Sequence, residues 1–437
     1  MGWVEQLAFG PFCLDVRSSR LLRDGVPVDL RPQAFQALRT LLHHRGCHVD
    51  YEQMIAEAWE GTLVSRHTVA VTVGEAKKAL KEYGCWIHYR PKLGYCIEIP
   101  RCDDQVKMGW HFTRRHTREG FEKALACFEK VLDEDRSDFR ALKGMCTCYL
   151  MLGAYGMREP RKVYAAFLDA HSRAVELEGL TPELRSDRGH ARHVFVREFE
   201  QAEADLCQAL REDPSLMPTY GHLAVLYVTT RRFDLAIDTL ARAQRVDALW
   251  PMLKPMETLV RYCRREFDLA VAAGRASVEL HPYFPPARHL YAQALERSGR
   301  MDEALEQHEL SCAMSPDLPW ARAERAACLA RAGHTEEAWE IYQELEWLRS
   351  REYVNAYSMI VLLESLGRRD LALDELDRAV LENSATLFLL DADPKLDPLR
   401  GEPRFQRVSK MLFGPLSGAD RGLPGRPVPD SAVAASS

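Results

Sequence analysis

The sequence has no hydrophobic run long enough to cross a bilayer; LFLL at 387–390 is typical of its longest. Its opening residues, MGWVEQLAFG, lack a basic stretch followed by an extended apolar core, so no signal peptide is expected. None of the 12 cysteines stands in a CxxC pair. Scattered thiols without an export signal favour buried free cysteines in the cytoplasm over a disulfide scaffold. Positive charge is also short. The formal net charge is -6, which excludes a protein that coats nucleic acid along its length and makes any DNA contact local. There is no GxxxxGKS/T phosphate loop and no GxSxG nucleophile elbow. HHRGCH at 43–48 matches no zinc spacing, CTC at 146–148 is too tight to share a tetrahedral ion, and His190 with His193 lacks a third ligand. No catalytic residue, metal or cofactor is expected, and nothing points to an enzyme.

Two stretches with different periodicities are present, and both are of ordinary globular composition. In the first, QLAFG, FCLDV and VPVDL alternate apolar and polar residues, with the turn signal DG at 24–25. A helical pattern follows over PQAFQALRTLLHH, opened by Pro32, with Phe35, Leu38, Leu41 and Leu42 on its apolar face and Gly46 as its stop. YEQMIAEAWEG fits a second helix. TVAVTVGEAKKALK fits a third, in which Val69, Val73, Ala76 and Leu80 form the buried stripe. CWIHYRPKLGYCIEI then reads as a hairpin. Strands, three helices and a two-stranded ribbon, in that order, predict an α+β winged helix-turn-helix over residues 1–101.

From residue 108 the pattern is helical throughout. Ala202, Ala236, Ala270, Ala304, Ala338 and Ala372 follow one another at intervals of 34 residues. Pro214, Pro282 and Pro316 keep the same register, and Gly299, Gly333 and Gly367 each precede an alanine by five residues. Such a period predicts an all-α superhelix of tetratricopeptide-type hairpins over 108–388, with Ala124 in an irregular first alanine slot. The interval from Ala124 to Ala202 exceeds two repeats by ten residues, placed around 153–162 and 179–186. Residues 389–413 are expected to form a segment capping the last repeat, and the Pro-, Gly- and Ser-rich residues 414–437 a flexible tail. First helices of stacked hairpins line the concave side, where Tyr220, Tyr227, Arg261, Arg288, Arg322 and Arg325 are candidates to grip a protein partner or a small-molecule effector.

The amino-terminal stretch resembles the DNA-binding domain of OmpR/ToxR-type transcription regulators over residues 7–99, from FGPFCLDVRSSRLLRDGVPVDLRPQAFQALRTLLHHRGCHVDYEQMIAEAWEG through TVAVTVGEAKKAL to RPKLGY. Fused to repeats without a receiver domain or membrane segment, it resembles soluble one-component regulators of the HilA kind. The resemblance implies that the third helix enters the major groove, that the hairpin is a wing, and that the loop WEGTLVSR at 59–66 meets RNA polymerase. On that reading, Arg66, His67 and Thr68 lie at the helix entrance, Thr72, Lys77, Lys78 and Lys81 along it, and Arg90 and Lys92 in the wing. Thr72 and Lys77 would read bases and the others would hold phosphate. The chain departs from the family pattern at Gly74, Glu75, Leu93 and Cys96, and residues 1–100 carry 12 Lys plus Arg against 11 Asp plus Glu, a net of +1. Double-stranded DNA, RNA polymerase, an effector and a second copy of the chain are the expected partners, with no membrane. The competing reading is an interaction scaffold whose winged helix has lost its DNA grip and contacts protein.

Overall fold

The computed structural model describes residues 6–9, 12–23, 26–97, 102–316 and 318–414. Contacts divide them into two compact units, one running to Gly109 with Ala126–Ala141 and the other comprising Trp110–Leu125 with Leu142 onward. The turn signal at 24–25 and the tail beyond 414 lie outside the described residues.

In the first unit, β1 (Gln6–Phe9), β2 (Phe12–Asp15), β3 (Arg20–Arg23) and β4 (Val26–Val28) form an antiparallel sheet in sequence order. The strand RLLR of β3 has no alternation to announce it, because only Leu21 is buried while Leu22 and Arg23 are half-buried. Leu7 pairs with Leu14 and Leu14 with Leu21, so one face of the sheet presents an apolar row. Against it pack α1 (Pro32–His43), α2 (Tyr51–Ala58) and α3 (Arg66–Ala79), whose Phe35, Leu38, Met54, Val69, Val73 and Ala76 are buried with Phe12 and Leu14. Helix starts follow local chemistry: Asp50 accepts from the Gln53 amide at 2.8 Å and Ser65 from the Thr68 amide at 3.0 Å. The hairpin of β5 (Ile87–Arg90) and β6 (Gly94–Ile97) is tied to the chain entering α2, since Val49 and Tyr95 exchange backbone hydrogen bonds of 2.7 and 2.9 Å.

The helical region begins with α4 (Cys102–Thr113), α5 (Arg118–Glu134), α6 (Phe139–Ala154), α7 (Pro160–Glu178) and α8 (Pro182–Ala191). Hairpins in the regular register follow: α9 (Phe199–Glu212), α10 (Met217–Thr229), α11 (Phe233–Val246), α12 (Leu253–Cys263), α13 (Phe267–Leu280), α14 (Pro285–Arg297), α15 (Met301–Met314), α16 (Pro319–Arg331), α17 (Thr335–Arg349), α18 (Ala356–Ser365) and α19 (Arg369–Leu381). All six register alanines are fully buried, which lets the paired helices approach. The extra residues before Ala202 are taken up by the 19-residue α7 and a π turn at Arg192–Val196.

The left-handed residue of each helix turn holds the same register: Arg197, Arg231, Arg265, Gly299, Gly333 and Gly367 have φ of 65, 58, 67, 78, 94 and 69°. Glycine announces only the last three. Arg231 is exposed, so Arg231→Gly is expected to raise stability by about 0.5–1 kcal/mol by relieving a strained backbone. The urea midpoint measures it, and a lower midpoint would show that the arginine side chain contributes more than its backbone costs.

After α19 the chain does more than cap the last repeat. Two 3-10 turns, Ala385–Leu389 and Pro394–Leu399, lead into α20 (Pro403–Phe413). Along this path Ser384 accepts from Arg197, Asp393 from the hydroxyls of Tyr262 and Tyr357, and Asp397 from Arg265. Arg404 on α20 reaches Asp374 on α19, and Phe413 stacks on Phe199 at 5.9 Å between ring centroids. Residues 384–413 thus brace repeats far apart in sequence. Within the same unit Arg118 pairs with Glu352 at 2.8 Å, bringing early and late helices together.

Candidate nucleic-acid interface and repeat cavity

Helix α3 buries Val69, Thr72, Val73 and Ala76. Its opposite side exposes His67, Ala70, Val71 and Lys78, with Gly74 half-buried among them and Lys81 exposed just beyond. Intervals of three and four residues make this one stripe. Gly74 lies in its middle, and a Cβ there would meet nothing within 4 Å, so packing does not require glycine. Gly74→Ala is expected to stabilise α3 by about 0.8–1 kcal/mol. Thermal unfolding checks the gain, and a loss would show that the backbone at this position depends on glycine.

Glu75 is turned toward the start of α1, where its carboxylate accepts from Arg31 at 3.0 Å. The side chain of Arg31 is 80% exposed, so the pair contributes little stability, but it places a cation beside the carboxylate. The expectation that Thr72 reads a base needs correction: only 7% of the residue is exposed, and its hydroxyl donates to the Thr68 carbonyl at 2.9 Å. The Val69 and Val73 stripe carries Thr72 inward with it. Lys77 is half-buried; Arg66, His67, Thr68, Lys78, Lys81, Arg90 and Lys92 are all exposed. Arg66 also lies over the Tyr51 ring at 5.0 Å, which fixes it at the entrance of α3. Arg90 and Lys92 stand at the hairpin tip, Lys92 with φ 70°. Apolar side chains are interspersed: Val71 is 47%, Leu93 51% and Tyr89 53% exposed, and Leu63 in the loop before α3 is 89% exposed. The side chain of Glu82, the other acidic residue near this helix, lies outside the described residues.

The six residues expected on the concave side are engaged elsewhere. Tyr220 and Tyr227 are buried, donating to the Pro214 carbonyl and to Glu203. Arg261 pairs with Glu266, Arg288 bonds Gln307, Arg322 pairs with Glu344, and Arg325 with Glu337. The structure does not bring them together. Inward positions lie elsewhere in the same 34-residue register: His222, Met256, Leu290, Glu324 and Ser358 all line one cavity of about 920 Å³. This second signal was available in the spacing but was obscured by the identities, which change at every repeat.

The cavity also contains two buried charge clusters. Lys143 pairs with Asp187 at 2.7 Å. Lys395 donates to both carboxylate oxygens of Glu324 at 2.8 Å and stands 3.7 Å from Asp393. Burial opposes the Glu324 charge, but Lys395 beside it holds its carboxyl below the usual range. Burial likewise opposes the Lys395 charge, and Asp393 and Glu324 hold its ammonium above the usual lysine value. Elsewhere Glu296, His308 and Cys328 place one ligand atom each within 4.8 Å of the others. The Arg331 guanidinium already pairs with Glu296, so a metal ion there would face a fixed positive charge. Cys47 is the one exposed thiol among the free cysteines of the described residues, and six others are buried. No helix among the described residues is long and apolar enough to cross a membrane.

Residues 25–97 match the family described as "Transcriptional regulatory protein, C terminal". Comparison with curated proteins gives no match. Among solved structures, a monomeric IFIT1 variant with Gppp-AAAA has TM-score 0.51 and 15% identity, covering 87% of this chain and 90% of that one. Another, with m7Gppp-AAAA, has TM-score 0.51 and 16% identity over 86% of this chain and 90% of that one. A tetratricopeptide repeat protein from Parabacteroides merdae ATCC 43184 has TM-score 0.40 and 12% identity, covering 61% of this chain and 98% of that one. At these identities the likeness is one of fold alone. Residues 25–97 are thus similar to the C-terminal domain of transcriptional regulatory proteins, and the helices that follow have a tetratricopeptide-type fold.

Proposed function

We propose that the chain is a sequence-specific DNA-binding transcriptional regulator whose repeat array receives the signal. One observation carries this reading: the open face of α3, running from His67 past Gly74 to Lys78 and Lys81, in a segment that matches a regulator family. That face enters the major groove, Arg66 and Thr68 hold phosphate at its entrance, and Arg90 and Lys92 hold backbone at the wing. A small residue at the centre of a reading helix allows the backbone to approach the base edges. With a net of only +1 over residues 1–100, a single winged domain binds naked DNA weakly. Assembly of two copies, or a contact from the exposed Leu63 loop to RNA polymerase, supplies the rest through linked binding.

A second reading follows from the exposed Val71, Tyr89 and Leu93, which suit a protein partner better than phosphate. Selection of genomic DNA fragments on the immobilised full chain separates the two. Enrichment of fragments sharing one sequence motif supports regulation. Recovery of fragments at background frequency favours the interaction scaffold.

A further inference from the structure

Three features of the 920 Å³ cavity point to a ligand. The first is its size and lining: Trp250, Trp320 and Phe284 give it broad aromatic walls, and the volume is that of a site for one small molecule. The second is unfinished hydrogen bonding. Both ring nitrogens of His190, Nδ1 of His289 and the indole N–H of Trp320 are buried with no partner among the described residues. His190 is 5% exposed and cannot turn to solvent for one. Buried polar groups left unmade cost about 1–3 kcal/mol each, and these four atoms all belong to residues that line the cavity. The rings themselves are held firmly: His190 stacks on His222 at 3.9 Å and His289 meets Trp320 edge-on at 4.6 Å.

The third feature is charge. Lys143 and Lys395 are already paired with Asp187 and Glu324, and Asp393 is satisfied by Tyr262, Tyr357 and the Lys395 amide. Two lysines against three carboxylates leave no unpaired buried cation for a phosphate or carboxylate ligand, and the remaining lining cation, Arg114, is exposed to solvent. Burial keeps His190 and His289 neutral, pushing their pKa values down to about 4 and about 3. An anion is therefore disfavoured, and so is nucleic acid.

We infer that this cavity binds one neutral, largely aromatic small molecule, which accepts a hydrogen bond from Trp320 and exchanges others with His190 and His289. The inference deepens the reading of the array as a signal receiver. It rests on that reading only for the link to DNA, and its test contains no DNA, so either can fail alone.

The test is a fluorescence titration of the full chain with N-phenyl-1-naphthylamine, set against its sulfonated analogue 8-anilino-1-naphthalenesulfonate. The neutral probe should saturate at one per chain with at least tenfold higher affinity than the anion. Val225 and Thr147 line the cavity half-buried, Thr147 accepting from Lys143 at 3.1 Å. Val225→Trp and Thr147→Phe should each weaken the neutral probe tenfold or more, while Val26→Ala, at an exposed position in the winged segment, should leave it unchanged. Circular dichroism establishes which variants fold, and either folded variant suffices. Absent or non-stoichiometric binding, tighter binding of the anion, or wild-type affinity in a folded cavity variant would overturn the inference.

Discussion

Lys395→Met is expected to destabilise the repeat array by about 3–5 kcal/mol, the largest single effect in the molecule. The Lys395 side chain is 2% exposed, and its ammonium is shared between Glu324, itself buried, and Asp393. Methionine fills similar volume but leaves two carboxylates without their cation. Adding Glu324→Gln should recover at least half of the loss, because breaking a buried pair costs more than replacing both of its charges. Urea unfolding followed by circular dichroism measures both variants. Wild-type stability in Lys395→Met would show that the residues after α19 are not locked into the array as described. The same lock explains why residues 384–413 brace the array, with Arg197 and Arg265, both at left-handed turn positions, reaching the segment that Lys395 anchors.

The second large effect is expected at the wing. Gly94 has φ +99°, and a Cβ there would run into the Val49 carbonyl and lie 2.7 Å from the Asp50 Cα. Gly94→Ala should cost on the order of 3 kcal/mol and release the hairpin from the start of α2. Hydrogen exchange over residues 86–97 and 47–58 should accelerate at least tenfold, while exchange in the repeats stays unchanged. DNA affinity should fall with it, because Arg90 and Lys92 lose their placement. Unchanged protection at Tyr95 would contradict the docking of the hairpin on Val49.

Periodicity made most of this fold readable. The alanines at 34-residue intervals are fully buried because close helix contact admits nothing larger, and that physical demand fixes residue identity. Left-handed turns demand less, so arginine replaces glycine at 197, 231 and 265 and the signal fades there. The cavity imposes no shared identity at all. His222, Met256, Leu290, Glu324 and Ser358 have only their position in common, whereas Arg322 and Arg325 lie two positions before and one after Glu324 and pair with a neighbouring helix. In the winged unit, the valine stripe of α3 was legible, and it is the same stripe that draws Thr72 inward. Glu75 was not legible, since its partner Arg31 lies 44 residues earlier and only tertiary structure brings them together.

The most direct test of DNA recognition by α3 and the wing is a salt titration of a selected genomic fragment by fluorescence anisotropy. It compares the full chain with Lys78→Ala/Lys92→Ala, two exposed cations that no packing in the winged segment requires. The double variant should bind more weakly at low salt, and its plot of log affinity against log salt should be shallower by about two, one for each phosphate deprived of its lysine. Identical slopes and affinities for the two proteins would contradict the assignment of this surface to DNA.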